Sequence, residues 1–237
     1  ETPNDFIRGF PDHPHRGIET ITYMIEGTVE HGDSLGNQGT IGAGDVQWMT
    51  AGSGIIHHEM PQGNESGRMG GFQLWANLPA SYKMMDPRYR DVLDSQIPTV
   101  ELSAGVSARV VSGAVNGTAG PVQDVVVEPR YLDMQMESGT RFELPVPLGH
   151  TAFAYVYSGE LVFEGESEAA GNHSLVLFGE GDALAGHSEN GARFLLISGK
   201  PIGEPVAWYG PIVMNTQEEL ETAFRDLRAG TFIKKGK

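Results

Sequence analysis

The chain has 237 residues and a mass of 25.6 kDa, a length that suits one large β domain or two of about 120 residues each. Its 16 basic and 31 acidic residues give a formal charge of −15, the wrong sign for neutralising nucleic-acid phosphates, which argues against direct DNA or RNA binding. No cysteine is present to supply a disulfide, thiolate ligand or nucleophile, which suits a reducing compartment such as the cytoplasm, or the nucleus in a eukaryote, and no apolar run reaches the roughly 18 residues of a membrane span.

The chain opens at Glu1 without Met and soon reaches its first candidate ligands, so an N-terminal piece is expected to precede it. The first informative segment is His13-Pro14-His15. In an extended strand alternate side chains share a face, so His13 and His15 point together and Pro14 points away. Strand-like runs follow at 19–26, 38–41, 46–50 and 55–60, separated by Gly27, by Gly42-Ala43-Gly44-Asp45 and by Ala51-Gly52-Ser53-Gly54. Turn residues at this spacing mark a sandwich or barrel. Residues 71–78 read as one more strand, rich in aromatics. Residues 81–92 lose the alternation and carry Asp86-Pro87, which predicts a connection with one helical turn.

The second half repeats the plan of the first. Phe153-Ala-Tyr155-Val-Tyr157-Ser-Gly159-Glu-Leu161 matches Thr20-Ile-Thr22-Tyr-Met-Ile-Glu-Gly27-Thr28-Val29, and Leu177-Phe-Gly-Glu-Gly181-Asp182 matches Thr40-Ile-Gly-Ala-Gly44-Asp45. Two β domains are therefore expected, a leading one over 1–100 and a trailing one over 121–237. The Gly- and Ser-containing residues 101–120 would link them, although 106–111 could form a strand. Thr216-Gln-Glu-Glu219 has capping-box spacing, with Leu220, Ala223, Phe224 and Leu227 at helical intervals and Arg225, Arg228 and Gly230 at the end. These signals predict a C-terminal α-helix over about 217–229.

The chemistry concentrates in a second pair of ligand types, His57-His58-Glu59. Parity again points His57 and Glu59 together and His58 away. Three imidazoles and a carboxylate converging inside a barrel suit a divalent first-row metal with positions left open, and iron, manganese, nickel, copper and zinc all accept such donors. Glu19 follows His15 by four residues and, in a regular strand, shares its face and competes with Glu59 for the fourth place. The second half offers only His150 and a lone His187 at the corresponding places, so one metal ion per chain is expected. His31 reads as a structural or surface group, Trp48 and Trp75 as core aromatics before cavity walls, and Arg16 as an exposed cation that a protein partner could read.

Three segments resemble the pirin family of bicupins: Phe10-Pro-Asp-His-Pro-His-Arg-Gly-Ile-Glu-Thr20, Gly44-Asp-Val-Gln-Trp-Met-Thr-Ala-Gly-Ser-Gly-Ile-Ile-His-His-Glu-Met-Pro61 and Gly210-Pro-Ile-Val-Met-Asn-Thr216. The resemblance implies an all-β fold of two cupin (jelly-roll) barrels packed face to face. It implies Fe(II) in the N-terminal barrel on His13, His15, His57 and Glu59, leaves Glu19 a supporting or turn role, and implies a C-terminal barrel without metal. The implied activity is that of a quercetin 2,3-dioxygenase, with a flavonol-like aromatic substrate, dioxygen and Glu59 as the base. The alternative implied by the family is an iron-dependent redox sensor or adaptor that binds a protein partner and regulates transcription or metabolism.

Overall fold

Short apolar runs ended by glycine turns leave each strand too short to bury anything alone, so the strands must stack as sheets around shared cores. A computed structural model describes residues 3–127 and 129–234. It contains two compact units, one built from residues up to Asp94 together with those from Ile202 onward, the other from Ser95–Pro201.

The leading unit contains α1 (Pro3–Phe6), β1 (Phe10–His15), β2 (Ile18–Glu26), β3 (Thr28–Asp33), β4 (Gln38–Ile41), β5 (Val46–Thr50), β6 (Ile55–Gln62), β7 (Gly70–Asn77) and β8 (Arg88–Val92). They form two four-stranded antiparallel sheets, ordered β1-β6-β3-β4 and β7-β2-β5-β8. Burial on β6 alternates as the period of a half-buried strand requires, with Ile55, His57, Glu59 and Pro61 inside and His58, Met60 and Gln62 exposed. β8 lies where a connection was expected. Charged and polar residues occupy both of its faces in Arg88-Tyr-Arg-Asp-Val92, so it has no hydrophobic period of its own, and pairing with β5 makes it a strand. The expected helical turn is present as a short 3-10 turn at Ala80–Tyr82.

The trailing unit contains β9 (Thr99–Ser103), β10 (Val106–Ser112), β11 (Ala114–Val115), β12 (Thr118–Ala119), β13 (Arg130–Met136), β14 (Thr140–Pro145), β15 (Thr151–Phe163), β16 (Ala170–Gly171), β17 (Ser174–Leu177), β18 (Ala183–Ser188) and β19 (Ala192–Gly199). Its main sheet runs β14-β18-β15-β19-β13-β10-β9 around a core of Leu132, Met134, Phe142, Val156, Phe163, Phe194 and their neighbours. Residues 101–120 are thus strands of this unit and not a linker. Turns at Gly105, Gly113 and Gly117, all with positive φ, supply the glycine content that gave the stretch its linker-like composition.

The C-terminal segment also departs from its expected place. β20 (Ala207–Tyr209), β21 (Ile212–Met214) and α2 (Gln217–Arg228) belong to the leading unit. Leu220 and Ala223 of α2 pack with Ile212, Met214 and Phe232, Val213 N donates to Arg16 O, and Ile212 bridges to Arg16. The predicted capping box is present: Glu219 N donates to Thr216 Oγ1, while Glu219 Oε2 accepts from Thr216 N.

The internal repeat is real in its first part and misplaced in its second. Gly27 and Gly159 both have positive φ, and both follow a register shift, at Met24/Glu26 and at Val156/Ser158. Gly44-Asp45, however, joins β4 to β5, whereas Gly181-Asp182 joins β17 to β18. The first half of β15 pairs with β17 and β19 as β2 pairs with β5 and β7, which makes β17 the counterpart of β5 and β18 that of β6.

Candidate metal centre

β1 and β6 are antiparallel neighbours, with His13 opposite His57 and His15 opposite Ile55. Residues directly opposite on paired strands share a face, so the three imidazoles meet on one side of this sheet. Ring centroids lie 4.3 Å apart for His13 and His57, 4.9 Å for His13 and His15, and 5.0 Å for His15 and His57. One ligand nitrogen from each lies within 4.8 Å of the others, and no other group of three or more such donors occurs among the described residues.

The protonation chemistry favours lone pairs over positive charge. His13 Nδ1 lies 2.8 Å from Pro11 O and His15 Nδ1 3.2 Å from Pro211 O, so a neutral ring donates there and keeps Nε2 as an acceptor. Burial, reinforced by the neighbouring imidazole of His13, pushes His15 down to about 4 against the contact to Pro211. Burial, then His13, His15, His31 and His58, push His57 down to about 3. His15 Nε2 and both nitrogens of His57 are buried without a hydrogen-bond partner. Such nitrogens are costly unless something accepts their lone pairs, so this donor set fits a metal ion.

Glu59 is buried, stands opposite His31 on β3, and lies outside the group of three imidazoles. Gln73 Nε2 donates to both of its oxygens, at 3.1 Å to Oε1 and 3.0 Å to Oε2, and Thr22 Oγ1 donates to Oε1 at 3.4 Å. The amide is itself oriented, because Trp75 Nε1 donates to Gln73 Oε1 at 3.2 Å. The Trp75 ring stands edge-on to His15 with centroids 5.2 Å apart and remains 41% exposed. It is therefore a wall of the site, where a core role was expected. Trp48 pairs with Ile21, on the opposite face of the sheet from Trp75, and is core as expected. Gln73 and Thr22 were missed; the only signal was that Gln73 and Trp75 repeat the i, i+2 spacing of the ligand pairs.

Other candidates fall elsewhere. Glu19 is not on the imidazole face: it lies on the side of β2 opposite Thr22, accepts from Thr50 Oγ1 at 2.6 Å, and is pushed above the usual carboxylate range by burial. His58 points outward beside Asp12, 3.0 Å away. His31 is buried and stacked on Tyr89, with centroids 5.6 Å apart. Arg16, expected at the surface, is 2% exposed. Its Nε donates to Ser53 O at 2.7 Å, Nη1 to Asp226 Oδ2 at 2.9 Å and Nη2 to Phe232 O at 2.9 Å, with the guanidinium over the Phe232 ring.

Comparison with known proteins gives two matches to family models, one described as pirin over residues 1–76 and one as the pirin C-terminal cupin domain over residues 131–233. A pirin-like protein of Caulobacter vibrioides is 46% identical over 230 residues, covering 97% of this chain and 82% of that protein. Pirin-1 of Arabidopsis thaliana is 44% identical over 223 residues, covering 92% of this chain and 76% of that protein. Among solved structures, quercetin 2,3-dioxygenase from Acinetobacter baumannii superposes with a TM-score of 0.88 at 35% identity, over 94% of this chain and 79% of that one. The imidazole triad together with these relatives implies a bound metal ion.

Proposed function

The chain belongs to the pirin family, and from that membership we propose that it is an iron(II)-dependent dioxygenase that opens the oxygen heterocycle of a flavonol such as quercetin, with His13, His15, His57 and Glu59 as ligands. The observation that carries this reading is the imidazole triad, in which His15 and His57 are buried with unpartnered nitrogens, beside a half-exposed indole. Iron bound there would supply a Lewis acid with positions left for substrate oxygens and dioxygen.

The chain's own groups account for binding and proton handling. The exposed part of Trp75 offers a flat apolar face for an aromatic substrate. Glu59 is the base for the substrate hydroxyl proton, which would pass to a carboxylate oxygen. Gln73 and Thr22 donate to that carboxylate and hold its plane while the proton moves. Pro211 O fixes the His15 ring from behind, outside the ligand face. A solved relative with quercetin 2,3-dioxygenase in its name supports the choice of activity. The adaptor alternative loses its recognition cation, since Arg16 is buried.

The test is anaerobic reconstitution with iron followed by oxygen and quercetin. Oxygen uptake with ring-cleaved product, absent from a His57→Ala control, is expected. Equal product from both proteins would remove the assignment.

A further inference from the structure

Among its described residues the trailing barrel has no imidazole cluster, yet one end of it is open and carries polar groups. A cavity of about 530 Å³, within the range of small-molecule sites, is lined there by Arg130, His150, Ser198, Val122, Val125 and Pro147 among others. Arg130 and Ser198 are directly opposite on β13 and β19. Two residues further along the same faces are Leu132 and Leu196 of the barrel core, so both side chains point to the barrel's inside at its end.

Two buried polar atoms around this space lack hydrogen-bond partners, and a cation stands beside them. Ser198 is 2% exposed, and its hydroxyl makes no hydrogen bond. His150 Nδ1 is also buried and unpartnered. Arg130 donates from Nη1 to Pro145 O at 2.5 Å, while no carboxylate is paired with it among the described residues. Burial alone pushes its guanidinium below the ordinary value. A cation, a hydroxyl and an imidazole beside Val122, Val125 and Pro147 are the surroundings of an anionic head with an apolar body. Asp124 sits on the rim of the same cavity and opposes a second negative charge.

We propose that the open end of the trailing barrel is a binding site for a small organic monocarboxylate, its carboxylate held by Arg130 and Ser198 and its body by Val122, Val125 and Pro147. The site is separate from the imidazole triad, so the proposal stands or falls apart from the dioxygenase reading.

The probe is benzoate, titrated calorimetrically into the metal-loaded full chain, with benzamide as neutral isostere and inorganic phosphate as a small anion. Saturable benzoate binding is expected, with benzamide and phosphate each at least about tenfold weaker, a ratio that one charge-assisted contact supplies. Arg130→Gln should abolish it, and the near-isosteric Ser198→Ala should weaken it several-fold, while His57→Ala leaves it unchanged. Crystals soaked with 4-bromobenzoate should place bromine in this cavity, a readout that does not depend on how well the Arg130 variant folds. No saturable binding, equal binding of benzamide, tighter binding of phosphate, loss in His57→Ala, or bromine elsewhere would each overturn the proposal.

Discussion

Gln73 divides its amide between two tasks, accepting from Trp75 and donating to both oxygens of Glu59, and so controls a carboxylate it does not resemble. Gln73→Leu keeps the volume and removes both donors. Metal affinity, measured by competition with a chelating dye, is expected to fall about 10- to 100-fold, the usual effect of losing an outer partner of a ligand, with the thermal midpoint nearly unchanged. An unaltered affinity would show that Glu59 is not a ligand that Gln73 holds. The imidazoles make a second prediction, on pH. Below 6.5, the ordinary histidine value, the unfolded chain takes up protons at His15 and His57, whereas the folded chain refuses them until about 4 and about 3. The unfolded state therefore binds more protons across that window, and chelator-treated protein loses stability as pH falls through it. The loss is on the order of a few kcal/mol, read from urea unfolding at pH 7 and pH 4.5, and His57→Gln should remove a large part of it. His13, His15, His57 and Glu59 were legible as candidates because a strand displays its period in sequence, whereas an amide such as Gln73 carries no signature until its partners are in place.

Parity holds only inside one strand, and Gly17 is where it fails. Its φ is +80°, and a Cβ there would lie 1.9 Å from Val213 O. The chain turns at this point from β1 in one sheet to β2 in the other, which is why Glu19, four residues after His15, does not share its face. Gly17→Ala must both adopt a left-handed conformation and displace the C-terminal strand β21, so a loss of several kcal/mol in urea unfolding is expected. The same junction is held by two buried cations. Lys83 Nζ donates to Gly17 O at 2.9 Å and to Val213 O at 3.0 Å, and Arg16 reaches Asp226 of α2. Asp226→Ala leaves the Arg16 charge buried with only two carbonyl partners and should cost about 3 kcal/mol. A loss below about 0.5 kcal/mol, as at an exposed pair, would mean that the clamp contributes nothing. The helix itself was readable from its cap and period. Its attachment to the leading unit was not, because that rests on pairings between residues about 200 positions apart.

The two units repeat one plan and differ in what fills them. In the trailing unit β14 pairs with β18 as β1 pairs with β6 in the leading one. Where the leading strand carries His13 and His15, the trailing strand turns Phe142 and Leu144 into an apolar core with Phe163 and Phe194. A core of that kind has no lone pairs to offer a cation, and desolvating an ion there without ligands is prohibitive. His187 lies on β18 beside Gly186, opposite Arg141, one position out of step with Phe142 and therefore on the other face. The duplicated sequence pattern reported the shared architecture because turns and strand periods are common to both halves. It reported the asymmetry too, since only one half spends its inward positions on imidazole. Elemental analysis of the purified chain should accordingly return one metal ion per molecule. His57→Ala should bring the content close to zero, while His187→Ala leaves it at one. A second equivalent of metal that survives His57→Ala would place donors in the trailing unit and contradict the packing of its core.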